Sequence, residues 1–266
     1  MRRLALSFML AAFAGGPAAA EQDLLLGADM SSPAMTQAEM SRADVEAMIK
    51  AADGKPIDLH DKALSGLNLS GLNLQGVNLR TARLNKTNLR GTDLSGANLE
   101  QAWFIKADLN GAKLIGAKMF GITARDANLS GADLSRSLPI GDFKGANMSG
   151  ATLVDLRGGA DLKNQSMGLM RAVFVSVNLR GAKLKGANLG RSRLEYADLT
   201  DADLTDVVLM GSDLSGANLT GATVSGADFK NVDVSGARLV ALKGQDSAKD
   251  WSARVNVDRA ITQVAN

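Results

Sequence analysis

The sequence predicts an all-β solenoid, and three regularities of spacing lead to that prediction. Over residues 59–134 an apolar residue, usually leucine, recurs at every fifth position, and we name each of these a centre residue. A small residue stands two positions before the centre residue, as Ala97 does before Leu99. Glycine commonly stands two positions after it, as Gly96 does after Leu94. A period of five fits neither the 3.6-residue turn of a helix nor the alternation of a long strand. Each group of five therefore forms one side of a coil.

Side-chain alternation assigns the inside and the outside of this coil. In extended backbone, residues two apart face the same way, so Ala97 and Leu99 point inward and Asn98 points outward. Glycine accepts a positive φ without steric penalty, which lets the chain turn a corner after each extended segment. The coil is expected to have a narrow interior filled by leucine, with successive coils paired through the backbone.

The repeated motif resembles the pentapeptide repeat family. Its A(D/N)LxG pattern is seen in Gly96-Ala97-Asn98-Leu99 and again in Gly131-Ala132-Asp133-Leu134. The resemblance covers roughly residues 57–240 and implies a right-handed quadrilateral β-helix with four repeats per coil. Each coil in such an array is stabilised by its neighbours, so both ends need caps.

The segments before the repeats predict export and a helical cap. Arg2 and Arg3 precede a short apolar stretch, and Ala18-Ala19-Ala20 supplies the small residues that a signal peptidase requires, which predicts a signal peptide at 1–20. A flexible linker is expected at 21–35 and a capping helix at 36–54, which a capping box at Thr36-Gln37-Ala38-Glu39 would open.

A second cap is expected at 241–266. There Asn256 would begin a short helix and Trp251 would seal the last coil. The predicted fold is therefore a right-handed β-helix of pentapeptide repeats at 57–240 with short α-helical caps at both ends.

Composition narrows the classes of partner. The chain has 30 Lys and Arg against 28 Asp and Glu, and removal of Arg2 and Arg3 with the signal would leave 28 against 28. A neutral mature protein has no net attraction for nucleic acid, which is therefore an unlikely partner, and no stable membrane anchor is expected. With no cysteine, stability must come from packing rather than disulfides.

Two departures from the period supply the candidate interaction residues. The spacing breaks near 135–142, 154–161 and 168–173, where loops leaving the coil are expected, although insertion drift explains such breaks equally well. Apolar residues at outward positions suggest a contact surface, or else scattered residues covered by a cap or loop. The candidate loop residues are Arg136, Ser137, Leu138, Pro139 and Arg157, and the candidate surface residues are Trp103, Ile105, Ile115, Phe120, Val173 and Val175.

The residue pattern offers little for catalysis or metal binding. The single histidine, His60, has no set of partner ligands, and no cysteine is present as a nucleophile. The aspartates around Asp198 and Asp213 lack the glycine–aspartate nonapeptide of calcium-binding β-rolls. We therefore expect no enzyme activity, no cofactor and no metal site.

The sequence favours an exported, non-enzymatic scaffold or protein-binding module of the cell envelope. It would act in the periplasm, outside the cell or in an equivalent lumenal compartment, as a monomer or as a homodimer through the C-terminal cap. Its partners would be envelope proteins. Two alternatives stay open, a DNA-mimicking topoisomerase inhibitor of the gyrase-inhibitor branch and an envelope β-helix enzyme. A charge map of the four faces separates them, because mimicry needs continuous acid on several faces.

Overall fold

The computed structural model describes residues 29–160 and 171–263 and confirms the solenoid. The residues Ser31–Asn266 form one compact unit. In the regular part of the coil, residues twenty apart pair in parallel, as Asn78, Asn98 and Lys118 do. The N–H of Leu99 donates to the carbonyl of Lys118 at 2.8 Å, and the N–H of Lys118 donates to that of Ala97 at 2.9 Å. Each coil thus bonds to the one before and the one after.

The alternation of inward and outward side chains is confirmed. Ala97 and Leu99 are fully buried, while Asn98 between them is partly exposed. At the next corner the N–H of Ala102 donates to the carbonyl of Leu99 at 3.1 Å, and Gln101 in between has φ 57°. A positive φ at the third residue defines a type II turn. This explains why glycine recurs at that position.

Regular secondary structure is sparse because each side of a coil is short. The helices are α1 (Pro33–Thr36) and α2 (Arg42–Ala51). The strands are β1 (Ile122–Thr123), β2 (Gly141–Asp142) and β3 (Ala172–Val173), which pair in parallel in the order β1-β2-β3. The other described coil contacts are single parallel bridges, apart from one antiparallel bridge near the N-terminal end.

The N-terminal cap differs from the prediction of a helix at 36–54. The helix α2 begins after Ser41, which forms a capping box with Asp44, so the box expected at Thr36 to Glu39 is wrong. The N–H of Glu39 donates instead to the carbonyl of Ala63 at 2.9 Å, because this segment pairs with the first coil as an extended strand. Backbone committed to that pairing is unavailable for a helix.

The helix α2 closes the first coil of the solenoid. Val45 is fully buried and joins the leucine core. The Arg42 guanidinium donates to the carbonyls of Asn68 and Ser70 at 3.0 and 3.1 Å. These contacts satisfy carbonyls that no preceding coil covers, which is the expected task of a cap.

The break predicted at 135–142 is a one-residue deletion rather than a projecting loop. Leu138 pairs with Lys118 twenty residues earlier, whereas Asp142 pairs with Thr123 nineteen residues earlier. Pro139 occupies the centre position and Ser137 the small position, and both are buried. Proline has no N–H to donate to the next coil. The pairing register therefore changes next to Pro139, a residue that could not form that hydrogen bond.

The breaks predicted at 154–161 and 168–173 belong to one insertion. Pairing across it spans 31 residues, as between Asn147 and Asn178. The coil continues through Gly158, whose N–H donates to Asn188, and it resumes at Ala172, whose N–H donates to the Gly158 carbonyl at 2.9 Å. Leu156 fills the space left at the centre position by glycine. Leu162 and Met167, which the repeat spacing would make centre residues, lie outside the described residues.

The C-terminal cap is a wider coil and not an α-helix. Its bridges fall at Lys243, Lys249, Val255 and Ile261, which are six residues apart instead of five. The extra residue at each corner is taken up by the 3-10 helices Gln245–Ser247, Trp251–Ala253 and Val257–Arg259.

The helix expected after Asn256 is a single 3-10 turn, Val257–Arg259, rather than an α-helix. Asn256 stands directly before it with φ 58° and no side-chain capping bond, and so turns a corner of the coil. Trp251 does cover the core, with its ring 4.8 Å from that of Phe229.

Candidate interaction surface

The bridges divide the outside of the solenoid into four faces. Each face is a ladder of outward residues, one per coil. Face 1 carries Asp58, Asn78, Asn98, Lys118, Leu138, Arg157, Asn188, Val208, Asp228 and Lys249. Face 2 carries Ala63, Arg83, Trp103, Thr123, Asp142, Val173, Arg193, Asp213, Asp233 and Val255. Face 3 carries Asn68, Asn88, Asp108, Asn128, Asn147, Asn178, Asp198, Asn218, Arg238 and Ile261. Face 4 carries Asn73, Asp93, Lys113, Asp133, Thr152, Lys183, Asp203, Thr223 and Lys243.

Face 4 alternates acids and bases, face 2 mixes them, and the ladder of face 3 is mostly asparagine, with basic residues such as Arg90 at its corner. On face 3 the guanidinium of Arg90 lies 3.2 Å from the Asp108 carboxylate. On face 4 the Lys113 ammonium lies 3.9 Å from Asp93. On face 2 Arg193 contacts Glu195 at 2.8 Å. Because acids and bases are mixed along faces 2 and 4 and asparagine predominates on face 3, these faces present no extended field of one sign.

Face 1 is different, since its ladder has no acid between Asp58 and Asp228. Three successive coils place Lys118, Leu138 and Arg157 there, and Val208 follows further along. Asp155 and Asp206 occupy turn positions at the corner of this face with face 4, where Arg136 lies one coil before Asp155. Face 1 therefore combines positive charge with apolar side chains.

The cations of face 1 are exposed and are held in line. Arg136 sits at the corner between faces 4 and 1 with φ 58°, and its carbonyl accepts a bond from the Arg157 guanidinium at 3.3 Å. Lys118, Arg136 and Arg157 are all exposed, and none forms an ion pair with another described residue. Their charges are thus available to a partner.

Apolar side chains border the same face. Phe120 and Met210 lie at its corner with face 2, and Ile115 and Val154 at its corner with face 4; all four are partly buried. Ile140, between Phe120 and Met210 in sequence, is almost fully buried. A row of partly buried apolar groups beside exposed cations is a composition typical of interaction surfaces.

The outward apolar residues singled out in the sequence do not form one patch. Trp103 and Val173 belong to face 2, where Thr123 and Asp142 separate them. Ile105 follows Trp103 at the corner with face 3, diagonally across the coil from Ile115. The expectation that Val175 is exposed is wrong, because only 7 % of its surface is accessible. Of this set only Phe120 and Ile115 adjoin the basic part of face 1.

The candidate loop residues prove to be part of the coil, and the coil brings three of them together. Arg136, Leu138 and Arg157 meet on face 1 in consecutive coils. Ser137 and Pro139 point into the core and are buried, so they are unavailable to a partner and their assignment to a loop is wrong.

Other chemistry is limited in the described part of the chain. His60 is exposed, with its Nδ1 3.0 Å from the Asp58 carboxylate, and the hydrogen bonds it donates lower the pKa of Asp58. No group of three or more acidic, histidine or cysteine side chains is placed to hold a metal ion within residues 29–160 and 171–263. A cleft of about 70 Å³ lies between the end of α2 and the first coil and is lined by Ile49, Lys55 and Gln75 among others. Within the same ranges no helix is long and apolar enough to cross a membrane.

Comparison with known protein families identifies the repeat. The model of pentapeptide repeats matches in eight copies over residues 64–101, 102–138, 172–211 and 208–240, which together exceed half of the chain. The chain belongs to the pentapeptide repeat family. The right-handed quadrilateral β-helix expected from the sequence is the fold of this family. Curated proteins provide no match to this chain.

Several solved pentapeptide repeat structures are similar to it. HetL, involved in heterocyst differentiation regulation in the cyanobacterium Nostoc sp. strain PCC 7120, is 26% identical, with 84% of this chain and 99% of HetL covered and a TM-score of 0.43. QnrB1, a plasmid-mediated fluoroquinolone resistance protein, is 16% identical, with 78% and 90% covered and a TM-score of 0.38. A pentapeptide repeat protein of the Arabidopsis thaliana thylakoid lumen is 24% identical, with 59% and 70% covered and a TM-score of 0.18.

The sequence pattern missed Lys118, Val208 and Met210 as members of the surface. A strict twenty-residue register places Lys118 beside Leu138, so that pairing could be found from sequence. The next coils pair at separations of nineteen and 31 residues, so the sequence spacing does not reveal that Arg157 and Val208 lie on the same face.

Proposed function

We propose that this pentapeptide repeat protein is an exported, non-enzymatic scaffold of the cell envelope that binds other proteins through its outer surface. The observation that carries the proposal is face 1, an exposed basic and apolar surface on a solenoid whose other faces are balanced in charge. Such a surface suits a macromolecular partner, because it offers charge and apolar contact over several coils and no enclosed site.

The packing of the coil supports a binding role over an enzymatic one. Leucine and alanine fill the interior from Leu59 to Leu239, and the gap beside Phe104 measures only about 10 Å³. Small-molecule sites usually enclose about 300–1,000 Å³. Pentapeptide repeat proteins act in general as scaffolds or binders.

The charge distribution speaks against the DNA-mimicking alternative. A mimic of duplex DNA needs continuous negative charge along its faces. Here Lys or Arg stands among the acids on faces 2 and 4, Asn separates those of face 3, and the ladder of face 1 carries no acid between Asp58 and Asp228. A topoisomerase would meet no duplex-like surface on these coils.

Two measurements test the proposal. N-terminal sequencing of the protein purified from envelope fractions should give Glu21 as the first residue, as expected for cleavage after Ala18-Ala19-Ala20. Cross-linking of the native envelope followed by purification should recover specific protein partners at near-stoichiometric yield. A cytosolic product that retains Met1, or an envelope form that cross-links to no protein, would contradict the proposal.

A further inference from the structure

We infer that face 1 binds an acidic amphipathic helix of a partner protein that lies along the solenoid axis. This inference rests on the proposed function and specifies the partner's chemistry and orientation. It draws on three observations: the spacing of the cations along the coils, the apolar side chains beside them, and the positions of the acids around them.

The cations advance by one coil at a time. Lys118, Arg136, Arg157 and Lys185 lie in four successive coils, on face 1 or at its corner with face 4, and all are exposed. Paired strands are about 4.8 Å apart. One turn of an α-helix rises about 5.4 Å, so side chains on one helix face advance almost in step with the coils. A helix with one acid per turn can therefore meet a new cation at each coil.

Apolar side chains accompany this cation row at its ends and in its middle. Phe120 and Met210, four coils apart, flank face 1 on the side towards face 2, and Leu138 lies in the ladder between Lys118 and Arg157. A helix with an acidic row and apolar residues beside it can contact both kinds of side chain. Contact through one helix face is the usual way in which amphipathic helices dock.

The acids around the surface favour a helix over a membrane. Asp155 and Asp206 are exposed at the corner with face 4, which also carries Arg136 and Lys185, while Asp142 on face 2 is buried and paired with Arg125. A broad anionic membrane would meet both exposed acids as well as the cations. A helix about 10 Å across that lies along Lys118 and Arg157 has only Asp155 of these acids beside it.

Binding of a defined peptide to the full-length mature protein tests this inference. The probe is a fluorescein-labelled helix of about four turns, with Glu in one row and Leu in the adjacent row, measured by anisotropy. A second peptide with Lys in place of each Glu controls for the charge. The Glu peptide should bind, more weakly as salt is added, and the Lys peptide should not.

Charge reversal on the protein locates the site. The double variant Arg136→Glu and Arg157→Glu should weaken peptide binding at least about tenfold, because two attractions become repulsions. The matched control is Lys86→Glu with Lys106→Glu, which reverses two exposed cations in adjacent coils at the corner between faces 2 and 3. This control should bind as the unaltered protein does. Thermal unfolding of each variant shows that the fold persists.

Three outcomes would overturn the inference. The first is equal weakening by both double variants, and the second is binding of phosphatidylglycerol vesicles with no binding of the Glu peptide. The third is unchanged capture of an envelope partner by the Arg136→Glu, Arg157→Glu variant with cross-links mapped away from face 1. That third result would leave the proposed function intact, which separates the two ideas.

Discussion

Substitution of Ala124 by leucine tests whether packing or repeat consensus controls the core. Ala124 holds a centre position at which most coils carry leucine, so the repeat pattern alone predicts that Ala124→Leu stabilises the protein. A leucine that fitted would bury three further carbons, worth about 0.8 kcal/mol for each CH₂. On this argument the free energy of unfolding should rise.

The structure predicts the opposite sign. Ala124 lies between Phe104 in the preceding coil and Phe143 in the following one, both almost fully buried. The gap that these residues line measures only about 10 Å³, about one water-sized probe. Overpacking of this kind costs about 1–3 kcal/mol. For a chain of this length, the melting temperature should fall by about 2–4 °C per kcal/mol.

Urea unfolding followed by circular dichroism measures the effect, with Phe104→Leu as a partner substitution. Phe104→Leu alone should destabilise the protein by leaving a cavity. The double variant should lose less free energy of unfolding than the sum of the two single variants, because the space vacated at Phe104 can accommodate the leucine at position 124. An Ala124→Leu protein as stable as the original, or more so, would refute the assignment of alanine as a spacer for the phenylalanine rings.

Three further tests probe the coil. Leu94→Asp places a carboxylate in a fully buried position and should unfold the solenoid at room temperature or nearly so. Asn98→Asp lies at a partly exposed position and should change the melting temperature little. Similar losses of stability in the two variants would contradict the inside–outside assignment. Gly216→Ala puts a Cβ 2.6 Å from the ring of the only tyrosine and should change its fluorescence, whereas Gly181→Ala, with open space at its Cβ, should carry only the strain of positive φ. Burial tends to raise the pKa of Asp198, but hydrogen bonds from Thr200 and Arg180 outweigh it and lower the pKa below 3.8. The stability that Asp198 contributes is therefore present above pH 3.8 and is lost as pH falls towards the folded pKa. In Asp198→Asn the free energy of unfolding should depend less on pH in that window. An unchanged pH dependence would count against these hydrogen bonds.

Much of the fold follows from local rules that the sequence displays directly. The small residue, the polar residue and the centre residue, as in Ala97, Asn98 and Leu99, obey side-chain alternation. Such rules need no knowledge of distant contacts. They therefore predict the coil, its interior and its corners.

The errors arose where a residue holds a position for which its type is atypical. Pro139 occupies a centre position that the pattern reserves for large apolar residues, so a deletion of one residue resembled a loop. Gly158 also occupies a centre position. Leu156, at the inward position two residues earlier that usually holds a small residue, fills the space that Gly158 leaves. These exchanges depend on packing between coils, which a spacing rule does not contain.

The interaction surface was harder to predict than the fold for a related reason. The pattern found Arg136, Leu138 and Arg157, but as parts of separate loops. Their neighbourhood is set by hydrogen bonds between coils, such as that from Arg157 N–H to Ser137. A shift of register in one coil changes which side chains are adjacent, although it leaves the periodic sequence almost unaltered.

The six-residue sides of the last coil give the solenoid a built-in terminus. An open β edge invites growth by further strands, and a second molecule arriving tail to head would have to match five-residue sides against six. The ladder would then fall out of step by one residue at every corner, as happens between Asp228 and Lys249, Asp233 and Val255, and Arg238 and Ile261. The helix α2 obstructs the opposite end as well. These bridges show that the mismatch is tolerated within one chain, so it is the obstruction by α2 that opposes open filaments. Two wide coils meeting face to face have matching sides, and the geometry therefore favours closed, symmetric pairs.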